Sequence, residues 1–187
     1  LSTAEQFFTT PLLPSPGTMV FTHSEPFGFN KPSVVQLSFK HGSVRALRLQ
    51  ATQRTPGFQL AEVEVETIGD NVALGLLERG GGIDLITDLQ NVLEGGEFMV
   101  DGDMVTSWAL QTFHQAQTGK DVFNRIIFDL GALYWLDQLR IVGDPVSAPA
   151  RLRNSFGNFF WYQILASDGS RAPDGTLKWH EIAFQPN

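Results

Sequence analysis

The chain has 187 residues, of which 42% are hydrophobic and 18% charged, with a formal net charge of -7 and no cysteine. At this length roughly 70% of the unfolded surface can be buried, enough for one domain, or for one domain with an appendage. The acidic balance speaks against a nucleic-acid partner, because phosphate neutralisation needs clustered Lys and Arg; the missing cysteines exclude disulfides, thiolate metal sites and cysteine nucleophiles.

Residues 1–32 contain "PLLPSPG" and "SEPFGFNKP", and their five prolines discourage regular structure. The expectation is an extended arm, with Phe7, Phe8 and Phe21 free to pack elsewhere. The chain opens on Leu1 without an initiator Met, so an upstream segment is expected, either a cleaved signal peptide or a further region. No run approaches the ~18 apolar residues of a membrane span.

From Ser33 the pattern becomes two-residue. "SVVQLSF" sets Val35, Leu37 and Phe39 on one face, and "VRALRLQA" does the same for Leu47, Leu49 and Ala51, with Arg45 as the exception. "QLAEVEVE" alternates Ala61, Val63 and Val65 against Glu62, Glu64 and Glu66. Such alternation marks half-buried antiparallel strands. "DLITDLQNVLEGG" breaks it: Leu85, Leu89, Val92 and Leu93 fall at helical spacing, Asp84 is a candidate cap, and Gly95-Gly96 a stop, with a strand and loop as the rival reading. Strands resume in "RIIFDLG", which ends at a glycine turn, and continue in "LDQLRIVG", "FWYQILAS" and "LKWHEIAF". The count is seven or eight short strands with at most one or two short helices, an all-β sandwich or jelly roll.

No catalytic constellation is visible. His23, His41, His114 and His180 lack metal spacing, and neither a Gly-x-Ser-x-Gly elbow nor a His-Glu-x-x-His motif occurs. "ERGGGID" lacks the Lys and Ser/Thr of a phosphate loop and reads as a turn. Asp101 and Asp103 in "MVDGDMVTSW" are two apart with Gly102 between, which favours a turn over a glycosidase acid pair held about 5–9.5 Å apart. Trp108 reads as a packing residue and Asp129 as a strand-end turn residue. "RLRNSFGNFFWYQI" offers Phe156 and Phe159 beside Arg153 and Asn158. Sugar sites combine an aromatic face with planar donors, so this loop is a candidate glycan contact; the alternatives are a hydrophobic plug or a protein-contact surface.

Four segments together resemble the discoidin-like, or coagulation-factor type C, family of galactose-binding-like jelly rolls. "VDGDMVTSW" is similar to its D-G-(N/D)-x-x-T-x-W element, and "IIFDLGALYWLDQLRIVG" to its strand pair around D-L-G. "YQILASDGS…LKWHEI" is similar to its S-x-D-G…W hairpin, and "VRALRLQATQRTPGFQLAEVEVE" to its closing strands. In the family the closing strands come last, whereas here they precede the D-G-D element. Three arrangements account for this: a permuted barrel, the remnant of a preceding domain, or a chain that stops before its own closing strands. The first is adopted, giving an arm over 1–32 and one β-sandwich over 33–187, with 33–68 completing it.

The resemblance implies a structural calcium at the D-G-D turn. Its ligands would be Asp101, the carbonyls of Phe98 and Asp103, Thr106, and Glu62 or Glu181 from a strand; hard oxygen donors suit calcium. The alternative is a turn in which Asp101 caps backbone amides without metal. The resemblance further implies a non-catalytic module for carbohydrate or cell-surface polymer, exported from a bacterium and working outside the cytoplasm. The second function class is an interaction subunit that docks through the same jelly roll onto another protein chain.

Overall fold

The computed structural model describes residues 18–23, 34–39, 42–51, 59–86, 95–109, 125–143 and 162–184. Eleven strands are present among them: β1 Thr18–His23, β2 Val34–Ser38, β3 Ser43–Ala51, β4 Gln59–Thr67, β5 Asp70–Asn71, β6 Gly82–Ile86, β7 Trp108–Ala109, β8 Arg125–Trp135, β9 Gln138–Gly143, β10 Tyr162–Ser167 and β11 His180–Phe184. One sheet runs β1-β2-β9-β4-β5, with β7 also on β4; the other runs β11-β10-β3-β8-β6. All strand pairs are antiparallel. The protein is thus a mostly-β structure of two antiparallel sheets.

The two-residue alternation supplies the core. Leu37, Val63, Val65, Leu139 and Ile141 enter it from one sheet, and Leu47, Leu49, Ile126, Phe128, Leu130, Ile164 and Ile182 from the other. These apolar faces meet in one core, and that removal from water drives the assembly. Strand β3 lies between β10 and β8, while β4 is bonded along its length to β9. The segment 33–68 therefore provides interior strands to both sheets, joined to strands from beyond residue 69.

Four local expectations are corrected. Within the expected arm, Thr18–His23 forms β1 and pairs with β2; "TMVFTH" is free of proline and rich in β-formers, and β2 offers it an edge. Within the expected helix, Asp84 and Leu85 belong to β6, opposite Ile127 and Ile126 of β8. Apolar spacing there is set by a strand partner, and residues 87–94 lie outside the described residues. The only helix among the described residues is the 3-10 turn Gly96–Met99. Finally, "FDLG" does not end its strand. Gly131, at φ +79°, bulges while β8 runs on to Trp135, and the register with β3 shifts between Val44 and Ala46. The Asp129 carboxylate accepts the Gly131 amide at 3.0 Å and an Arg45 N–H at 3.3 Å, a local structural role.

Glu62 is the fourth correction. The alternation puts it on the polar face of β4, yet its side chain is fully buried. A register shift between Leu60 and Glu62 interrupts the regular pleat at this point.

Candidate functional site

The stretch 95–109 leaves the core and returns to it. The 3-10 turn Gly96–Met99 packs against β4, β6 and β7, and Met99 and Val100 are buried. Trp108 then re-enters the core, opposite Leu60 of β4. Between these anchors the chain loops into solvent, so Asp101, Gly102 and Asp103 are exposed.

Within the loop, each aspartate bonds the backbone two residues on. Asp101 Oδ1 accepts the Asp103 amide at 2.9 Å, and Asp103 Oδ1 accepts the Val105 amide at 2.9 Å. Thr106 Oγ1 stands 2.7 Å from Asp101 Oδ2 and 2.8 Å from the Asp103 carbonyl, with one hydrogen to donate between them. These Asx-type bonds are the local reason that Asp-Gly-Asp folds as a turn. Gly102 takes φ +78°, and a Cβ there would sit 3.1 Å from Leu74 Cδ1.

Glu62 meets this turn from β4. Its Oε2 accepts the Gly102 amide at 3.2 Å, while its Oε1 is buried without a partner. The register with β9 explains the deficit. Glu66 lies opposite Gln138 and accepts its amide at 2.9 Å. Glu64 lies opposite Arg140, whose Nη1 reaches both its oxygens at 2.8 Å. Glu62 lies opposite Val142, which has nothing to donate. Burial pushes its carboxyl up to about 8; the Asp101 and Glu64 carboxylates push the same way, and the Gly102 bond and Arg140 oppose them.

A buried carboxyl without a cation is expensive when charged. Two carboxylates, the Thr106 hydroxyl and the carbonyl of Asp103 converge here, an all-oxygen donor set of the kind calcium takes. These oxygens are of the type calcium takes, and Glu62 Oε1 is the one buried atom among them that lacks a partner. Among the described residues no group of three or more His, Cys, Asp or Glu side chains could hold a metal, so carbonyl and hydroxyl oxygens would complete any shell.

Of the two glutamates named from sequence, Glu62 is the one beside Asp101. Glu181 is exposed on β11, at the edge of the other sheet, where its Oε2 accepts Gln163 Nε2 at 2.5 Å. Phe98 is exposed, and its amide bonds the Gly95 carbonyl at 3.2 Å. Arg153, Phe156, Asn158 and Phe159 lie outside the described residues. Sequence reasoning did not single out Arg48 or Trp179, where a guanidinium stacks on an indole at 4.9 Å. No motif signals that pair, because it joins β3 to the segment before β11.

The chain matches no protein-family profile, no curated protein and no solved structure.

Proposed function

We propose that the chain is a non-catalytic recognition module for carbohydrate or cell-surface polymer, built as a discoidin-like jelly roll and working outside the cytoplasm. The observation that carries this reading is the buried, cation-less Glu62 carboxyl bonded to the D-G-D turn. That is the place where the sequence resemblance puts a structural calcium. Glu62, Asp101, Thr106 and the carbonyls of Phe98 and Asp103 would hold the ion. When bound it neutralises the carboxylates and ties β4 to the loop before β7. Its role is scaffolding, away from the sugar contacts.

Those contacts are assigned to the loop carrying Arg153, Phe156, Asn158 and Phe159, where aromatic faces and planar donors occur together. A glycan array with the intact chain in calcium, followed by calorimetry on the best ligand, tests the reading. Phe159→Ala is expected to weaken binding while leaving the melting temperature unchanged. A loss of roughly 3–5 kcal/mol of stability would instead make Phe159 a core residue.

A second reading, docking onto another protein chain, draws support from the exposed apolar side chains Leu74, Phe98, Met104 and Val105 on and beside the turn. Co-purification of a protein partner, together with an array that shows no sugar binding, would favour it.

A further inference from the structure

The outer face of the five-stranded sheet carries a second unbalanced charge. Leu47 and Leu49 enter the core, so Arg48 between them projects from the other face. Register places it between Ile127 of β8 and Leu165 of β10. Trp179 covers its guanidinium, with the ring centroid 4.9 Å from Cζ. Stacking occupies the flat face of a guanidinium and leaves its N–H edge for in-plane acceptors. On that edge Nε is buried with no acceptor.

Arg125 adds to the imbalance. It lies opposite Gln50, two residues along the same face of β3. Burial first, and the Arg125 charge second, hold the Arg48 guanidinium below its ordinary value. Among the described residues the carboxylate–guanidinium ion pairs are Arg45–Asp129 and Arg140–Glu64, so neither Arg48 nor Arg125 has such a partner among them. Two guanidiniums that disfavour each other, with no carboxylate partner among the described residues, make this a place where an anion on the accessible Nη edge would be favoured.

The surroundings restrict which anion fits. The row across the sheet reads Asp84, Ile127, Arg48, Leu165, Glu181. With neighbouring strands about 4.8 Å apart, an acidic residue stands about 10 Å from Arg48 on either side. A polyanion laid across this face would meet a carboxylate at each end. A single carboxylate surrounded by hydroxyls would not, because hydroxyls donate to those acids. Along the next row Gln50 Nε2 bonds Gln163 Oε1 at 2.5 Å, and Gln163 Nε2 bonds Glu181 Oε2, giving a ladder of amide and carboxylate groups beside Arg125.

We propose that this sheet face binds the carboxylate of a hexuronic acid residue, with Arg48 and Arg125 on the carboxylate and the Gln50–Gln163–Glu181 ladder on the sugar hydroxyls. The assignment rests on the reading of the chain as a glycan-recognition module and names the acidic class of sugar it takes.

Calorimetry on the intact chain, with galacturonate, glucuronate, galactose, glucose, sulfate and phosphate, tests it. A uronate is expected to bind about tenfold or more tightly than its neutral hexose, the worth of one charge-assisted bond. Arg48→Gln and, independently, Arg125→Gln should each lower uronate affinity by about tenfold while changing neutral-hexose binding by less than about twofold. The Arg125 variant keeps the test intact if loss of the Trp179 stack unfolds the Arg48 variant. Sulfate or phosphate binding as tightly as a uronate overturns the sugar assignment. Uronates and neutral hexoses binding alike overturn the role of the arginines but leave the module reading standing. No saccharide binding at all, here or on the array, removes both.

Discussion

The Gly102 amide donates to Glu62 Oε2 at 3.2 Å, and this is the one hydrogen bond the buried Glu62 carboxyl receives among the described residues. A strand residue is thereby tied to a loop 40 positions later by its less costly half, while its other oxygen stays unpaired. The Gln138 and Arg140 side chains show what the fold does for Glu66 and Glu64, and at Glu62 the same ladder supplies valine.

Calcium is expected to raise the melting temperature, and a chelator to lower it. At a free concentration of 100 times Kd the gain would be about 2.7 kcal/mol. Glu62→Gln should abolish the calcium response without lowering stability in chelator, because glutamine keeps the acceptor for Gly102 and has no carboxylate to give the ion. Differential scanning calorimetry of both proteins, with and without calcium, reads this directly. A wild-type melting temperature indifferent to calcium would leave the turn held by its own Asx bonds alone.

The same carboxyl sets a pH dependence in calcium-free buffer. Its folded value of about 8 lies above the ordinary 4.5, so the folded state binds the proton more tightly. The stability it contributes is complete below about pH 4.5 and declines as pH rises from there to about 8, after which both states are ionised. Urea midpoints should fall across that window, and the Glu62→Gln midpoints should fall less. Because the ion takes the ionised form, calcium binding at pH 7 should release a proton, and apparent affinity should climb with pH. Calorimetry in buffers of different ionisation enthalpy measures the proton.

The strands were legible in the sequence because they obey a two-residue period: Leu47, Leu49, Val63, Val65, Ile126, Phe128, Leu139 and Ile141 are buried as the alternation requires. Trp108 also packs as expected, and Asp101 and Asp103 do form a turn. What alternation could not show is tertiary coverage. Glu62 sits in the polar phase of β4, yet it is buried and meets the loop folded back from residue 95 onward at Gly102. Leu85 has helical spacing, but β8 offers a ladder and the ladder wins. Arg48 and Trp179 meet through chain segments more than a hundred residues apart, a relationship that carries no local signature.

The β4–β5 hairpin offers a stabilising change. Thr67 and Asp70 pair directly, so Ile68 and Gly69 form a two-residue loop, and both have positive φ, +45° and +90°. That is the type I′ pattern, which favours Asn-Gly and strains a β-branched residue by about 1–2 kcal/mol. Ile68 is also 85% exposed, so its side chain returns little through burial. Its amide bonds Asp137 Oδ2, a contact any residue with an N–H retains. Ile68→Asn is expected to raise stability by about 0.5–1 kcal/mol, seen as a higher urea midpoint with unchanged slope. A lower midpoint would mean that the isoleucine is held by contacts its exposure does not suggest.

Gly81 should tolerate no side chain. Its amide bonds the Leu76 carbonyl at 3.0 Å, and a Cβ would stand 2.2 Å from Leu76 Cδ1 and 2.4 Å from the Asp129 carbonyl oxygen. One of those atoms is backbone in the bulged part of β8, where Gly131 already brings the two segments together: a Cβ on Gly131 would stand 3.0 Å from the Gly81 nitrogen. The opposing loop has little room to retreat, since Arg79 bonds the Leu74 carbonyl at 2.7 Å and also the Val72 carbonyl. Gly81→Ala must therefore move β8 or the loop, and the expected loss is about 1–3 kcal/mol. Gly82→Ala is the matched control, because a Cβ there meets nothing within 4 Å and needs no unusual φ; it should change stability by less than about 0.5 kcal/mol. Urea unfolding of the pair separates crowding from a general intolerance of alanine in this glycine run, and equal stability of the two variants would show that the β8 bulge yields more readily than its contacts indicate.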